Sequence, residues 1–119
     1  METVRLRRIQ EPSRVERLLD AYVSRSQVLG ADAHQIRDPS ALPKTLRDVL
    51  TRARHQGQVW TCWEDRSRMW LFTCDMSLEL SRERGAPVLQ VNRYTEDGGL
   101  DESGRWIADP HGLWSRCTD

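Results

Sequence analysis

Residues 58–75 read QVWTCWEDRSRMWLFTCD, and they hold three of the chain's five tryptophans and two of its three cysteines. These residue types support several chemistries. Thiolates bind soft metals, close disulfides or attack electrophiles, and aromatic rings cage cations. Spacing decides among them. Strand alternation places Trp60, Cys62 and Glu64 on one face of a first strand, with Val59, Thr61 and Trp63 on the other. On the returning strand Trp70, Phe72 and Cys74 share a face, opposite Met69, Leu71 and Thr73. A symmetric turn at 65–68 sets Cys62 beside Leu71 and Cys74 beside Val59. The sulfurs are then about three positions out of register, whereas a disulfide needs Cα atoms within about 7 Å. A structural zinc wants two close ligand pairs. His34, His55 and His111 are scattered, so no metal is expected. Each cysteine reads as a small buried apolar residue.

The tryptophans read two ways. Trp60, Trp70 and Phe72 serve as core beneath helices. Trp63, with Trp106 or Trp114, is expected on an outer face, where rigid aromatic area lines a ligand pocket or a dimer surface.

Other chemistry is sparse. The chain has no G-x-S-x-G and no P-loop. His111 reads as a solvent-facing turn residue. Glu96, Asp97, Asp101 and Glu102 flank two glycines but lack the spacing of a calcium loop, so a solvated loop is expected. Arg82-Glu-Arg-Gly85 places two arginines beside a glycine, a set of donors that suits a phosphate.

These residues need elements to position them. Residues 3–9 (TVRLRRI) alternate and read as a strand. Ser13 to Glu16 fits a capping box, and Val15, Leu18, Leu19 and Tyr22 form one apolar stripe of a helix ending near Gly30. Residues 30–40 read as a polar loop. A second helix starts near Ser40 to Pro43, turns Leu42, Leu46, Val49, Leu50 and Ala53 inward, and ends at Gly57. Val59–Glu64 and Met69–Asp75 form a hairpin. Ser77–Arg84 is a short helix closed by Gly85. Val88–Tyr94 is a strand, Glu96–Gly104 a loop, and Arg105–Ala108 with Leu113–Arg116 a final hairpin around Asp109-Pro-His-Gly112. The order β-α-α-β-β-α-β-β-β describes one α+β domain over 1–119, a mostly antiparallel sheet with two longer helices in two or three layers.

Composition narrows the function classes. Eighteen basic residues balance eighteen acidic ones. A net charge near zero argues against general nucleic-acid binding and against a polybasic membrane surface. No apolar run approaches the roughly 20 residues that span a bilayer. METVRLRRIQ has no apolar leader core, and three unpaired cysteines fit a reducing compartment, so a cytoplasmic location is expected.

The order strand, helix, helix, hairpin over residues 3–75 resembles the N-terminal half of the GNAT acyltransferases. That resemblance implies acyl-CoA binding through an R/Q-x-x-G-x-G/A loop. Arg82-Glu-Arg-Gly85-Ala-Pro87 carries its first two anchors, with proline at the last position. It would make coenzyme A the ligand; otherwise no cofactor is called for.

Two functions stand side by side. One is a non-catalytic module that binds a small molecule or a protein, including a second copy of itself. Its expected contacts are Trp63, Trp106, Trp114, Arg82, Arg84 and Gly85. The other is a diverged or truncated acyltransferase. The register argument yields a first prediction. Thiol titration of unreduced, unfolded protein recovers three groups; recovery of one would reveal a disulfide.

Overall fold

The computed structural model describes residues 12–25, 33–66, 68–108 and 113–117. The strand expected at 3–9, the helix end at Gly30 and the turn at 109–112 lie outside them, as does His111. The described elements are α1 (Pro12–Arg25), β1 (His34–Ile36), a 3₁₀ turn (Pro39–Ala41), α2 (Lys44–His55), β2 (Val59–Asp65), β3 (Arg68–Met76), α3 (Leu78–Arg84), β4 (Val88–Tyr94), β5 (Leu100–Ala108) and β6 (Trp114–Arg116). The fold is α+β. Six strands form one sheet in chain order, every neighbouring pair antiparallel. No helix among the described residues is long and apolar enough to cross a membrane.

Two strands differ from expectation. β1 lies inside the stretch read as a polar loop. It is only three residues long, too short to show alternation, and its pairing with β2 creates it. β5 begins at Leu100, so it absorbs half of the expected acidic loop. Leu-Asp-Glu-Ser-Gly carries almost no apolar signal, and its order comes from pairing with Asn92–Tyr94. The remaining loop is tight. The Thr95 N–H donates to the Gly99 carbonyl at 3.0 Å and the Gly98 N–H to the Thr95 carbonyl at 2.9 Å. Gly98 sits at φ 82, where a side chain would be strained.

The helices form for the reasons their stripes give. On α1, Val15, Leu19 and Val23 are buried, with Leu18 and Tyr22 beside them. On α2, Leu46, Val49, Leu50 and Ala53 are buried. α2 begins at Lys44 with no side-chain cap; the side-chain cap upstream is Asp38, which accepts the Ser40 N–H at 3.0 Å and starts the 3₁₀ turn. α3 is capped by Ser77, which accepts the Leu80 N–H at 3.2 Å, and is closed by Gly85 at φ 69.

The helices cover opposite faces of the sheet, giving three layers. Against α1 lie Phe72, Cys74, Met76, Leu89 and Val91. Against α2 lie Leu42, Cys62 and Leu71. The β2–β3 register sets Cys62 opposite Leu71 and Val59 opposite Cys74, as the spacing requires. The same register corrects the tryptophan faces. Residues directly opposite one another share a face. Trp60 faces Thr73 and belongs to the α2 side; Trp63 faces Trp70 and belongs to the α1 side. Trp60 and Trp70 therefore do not share a core. Trp63, Trp106 and Trp114 do not sit on an outer face: all three pack against the α1 core.

Two separate cores make a testable energetic statement. Leu19 and Leu46 are both fully buried. Replacing either with alanine is expected to cost about 2–5 kcal/mol. The sheet stands between them, so the two losses should add to within about 0.5 kcal/mol in a double-mutant cycle by urea unfolding. A larger coupling would mean one continuous core.

Candidate functional site

The short β1 decides where the molecule has an opening. It pairs only with Cys62–Glu64 of β2. The strand stops because Pro39 lacks an N–H and Asp38 is committed to capping the 3₁₀ turn. The outer edge of Val59–Thr61 is left without a strand partner among the described residues. At this edge lies a cleft of about 420 Å³, lined by Glu16 from α1, Gln35 and Arg37 from β1 and its end, Arg54 from α2, and Gln58 and Trp60 from the start of β2. Its lining thus draws on both helices and on the sheet edge.

Each lining group is positioned by its own local structure. α2 reverses into β2 through Gly57, at φ 72. That turn uses the carbonyls at the helix end: Gln56 N–H donates to Arg52, Gly57 N–H to Arg54, and Gln58 N–H to Ala53, all at 3.0–3.1 Å. Arg54 is therefore not needed as a cap for those carbonyls. Its guanidinium lies over the Trp60 ring instead, 5.3 Å from the centroid, within cation–π range. Gln35 donates to Thr61 Oγ1 and, at 3.3 Å, to Asp20 Oδ1. Gln58 donates to Asp75 Oδ2 at 3.0 Å. Both amides are thus held by their nitrogens, and neither side-chain carbonyl oxygen accepts a hydrogen bond among the described residues. Arg37 and Arg54 make no ion pair among the described residues. Arg93, by contrast, holds Asp101 at 2.5 Å and Glu102 at 3.3 Å, and lies over Trp70 at 5.3 Å.

None of the six residues offered as ligand contacts, Trp63, Trp106, Trp114, Arg82, Arg84 and Gly85, lines this cleft; Trp60, read as core, does. Trp63 is on β2 and Trp106 on β5, three strand spacings (about 14 Å) apart across the sheet and, because Trp63 pairs with Trp70 and Trp106 is level with Met76, six residues (about 20 Å) apart along it. They cannot close one cage. Trp106 and Trp114 instead pack on Tyr22, with ring centroids 5.0 and 5.6 Å away. Arg82 and Arg84 occupy the last turn of α3. A helix end presents carbonyls, so the N–H groups a phosphate wants are not supplied there. Arg37, Arg54 and Trp60 carried no motif. The available signal was the short run from helix to strand, Arg54-His-Gln-Gly-Gln58, which brings a helix end against the first turn of β2.

A second cleft, of about 530 Å³, lies beside the acidic loop. Its carboxylates are occupied. Glu96 accepts the Met69 N–H at 2.7 Å, and Asp97 accepts the Gly99 N–H at 2.9 Å and the Thr95 hydroxyl. Those bonds, the Thr95 hydroxyl first, hold the Asp97 carboxyl below its usual range. Among the described residues no three His, Cys, Asp or Glu side chains gather as a metal would need.

The thiols are poorly suited to attack. Burial pushes Cys62 up to about 12 and Cys74 further, the latter helped by Asp75. Neither is a thiolate at neutral pH, and all three cysteines are free. No family model matches the chain, and comparisons with curated proteins and with solved structures returned no match.

Tyr22 supplies a pH prediction. Burial first, then Glu102, raises its phenol from 10.0 to about 12, against smaller opposing effects of Arg93 and Arg116. Above pH 10 the unfolded chain ionises this group while the native one keeps its proton. Stability present below that pH is therefore lost as pH rises toward 12. Urea midpoints measured across this window should fall less steeply in Tyr22→Phe than in the parent; identical slopes would mean that Tyr22 does not titrate this way.

Proposed function

We propose that this chain is a non-catalytic binding module whose site is the cleft at the outer edge of β2. One observation carries the reading: two guanidinium groups, Arg37 and Arg54, line a concave opening without a carboxylate partner among the described residues. Small-molecule sites are concave, with a few polar groups set among apolar ones. Here Trp60 and Val59 give the apolar part, and two arginines and two anchored amides give the polar part. The binding surface is still an aromatic-bearing part of the sheet. It uses Trp60, not Trp63, Trp106 or Trp114. Burial of Cys62 and Cys74 in the two cores removes those two thiols as nucleophiles.

Self-association belongs to the same proposal. Among the described residues β6 ends the sheet, and an edge strand offers unpaired N–H and C=O groups to a second copy. Leu113 beside it is 61% exposed. Leu113→Lys separates association from folding better than a change at Trp114, which packs on Tyr22. A dimer at this edge should sediment as monomer after the change; a parent that is already monomeric at high micromolar concentration removes the idea.

A thermal-shift screen of nucleotides, acyl-CoAs and small metabolites tests the module, because a ligand that binds only the native state raises its stability. At least one compound should raise Tm saturably, and Arg54→Gln should abolish that rise. Acetyl-CoA enters the screen as the alternative. Saturable binding of acetyl-CoA that survives Arg54→Gln and is lost in Arg82→Ala would favour the acyltransferase reading.

A further inference from the structure

Resting on that reading, we propose that the edge cleft takes a small organic carboxylate with an apolar body and at least one N–H or O–H donor. The charge of the lining sets the head group. Arg37 and Arg54 contribute two guanidinium groups against the one carboxylate of Glu16. A guanidinium presents a planar fork of donors that matches a carboxylate in two-point contact.

The Trp60 ring improves that match. The ring centroid lies 5.3 Å from the Arg54 guanidinium carbon, a contact that holds that side chain at the cleft. A side chain already held in place loses less rotamer freedom on binding. Trp60 thus acts as a positioning residue for Arg54.

One negative charge fits better than two. Phosphate sites draw on the N–H groups and positive end of a helix N-terminus. The last turn of α2, which carries partial negative charge, lines this cleft through Arg54. Glu16 adds a carboxylate to the lining. A dianion meets both, whereas a carboxylate turned toward Arg37 and Arg54 meets them least.

The rest of the lining sets the body. Ile36, Val59 and Trp60 offer apolar area. Gln35 and Gln58 are tied by their nitrogens, so their carbonyl oxygens are oriented acceptors. They call for a donor on the ligand, not for a second acceptor.

Indole-3-acetate has the required parts: a carboxylate, a planar apolar body and a ring N–H. Tryptamine keeps the body and reverses the charge, and inorganic phosphate keeps negative charge without the body. Isothermal titration should show saturable binding of indole-3-acetate at low millimolar concentration or better. Tryptamine should bind at least about tenfold more weakly, and phosphate should not saturate. Arg37→Gln and Arg54→Gln should each weaken indole-3-acetate about tenfold or more, the scale of a lost charge-assisted contact, with the free protein still folded. Arg37→Gln should leave Tm unchanged and Arg54→Gln should lower it by no more than the few degrees that a lost exposed cation–π contact costs, because both side chains are exposed. Trp60→Leu should weaken binding, and Trp60→Phe, which keeps an aromatic face, should restore most of it.

Phosphate binding as tight as indole-3-acetate would overturn the proposal, as would binding indifferent to both arginine substitutions. If indole-3-acetate fails while another screened compound binds and is lost in Arg54→Gln, the ligand class is wrong and the module stands. If no compound depends on Arg37 or Arg54, both fall.

Discussion

The β2–β3 ladder divides the apolar side chains of this protein between two cores. Cys62 and Leu71 point to α2, while Phe72, Cys74 and the Trp63–Trp70 pair point to α1. Side chains alternate with a period of two, so a slip of one residue would send each set to the wrong helix. Such a slip would place Glu64 and Asp65 differently as well, and would set the fully buried Thr61 and Thr73 in the wrong layers. The two helix stripes are matched to this division. α1 brings Leu19 and Val23, and α2 brings Leu46 and Leu50, each set to one face only.

Much of this was legible in the chain, where apolar residues recur strongly enough to show a period. The α1 and α2 stripes, the β2–β3 register, β4, and the Ser77 and Gly85 ends of α3 all follow from residue type and spacing. Faces were harder. Alternation along each strand was read correctly, but the cross-strand step was missed: Trp60 opposes Thr73, so it cannot lie with Trp70. β1 and the first half of β5 were illegible for a different reason. His-Gln-Ile and Leu-Asp-Glu-Ser-Gly have no pattern of their own and become strands because a formed neighbour offers a ladder.

The site was less legible than the fold. Arg37, Arg54 and Trp60 come from three elements and share no motif; their meeting depends on where β1 stops. That stop is local chemistry. Asp38 turns to cap Ser40, Pro39 cannot continue a ladder, and the edge of β2 stays open beyond Cys62. A longer β1 would cover Val59–Thr61 and narrow the opening. The conspicuous residues, by contrast, serve the fold. Trp106, Trp114 and Tyr22 form a packed group beside α1, and Arg116 lies over Trp106 at 5.9 Å.

The tryptophans divide four to one between the two faces of the sheet. Trp63, Trp70, Trp106 and Trp114 belong to the α1 side, and Trp60 alone belongs to the α2 side, at the cleft. Three of the four on the α1 side bury an indole N–H that meets no hydrogen-bond partner among the described residues. The rings themselves are half-buried, so their environment depends on the packing of the α1 layer. Trp60 lies beneath a guanidinium at the rim of an opening. The five tryptophans therefore report on two places: four on the α1 layer, and Trp60 on the opening beside Arg54.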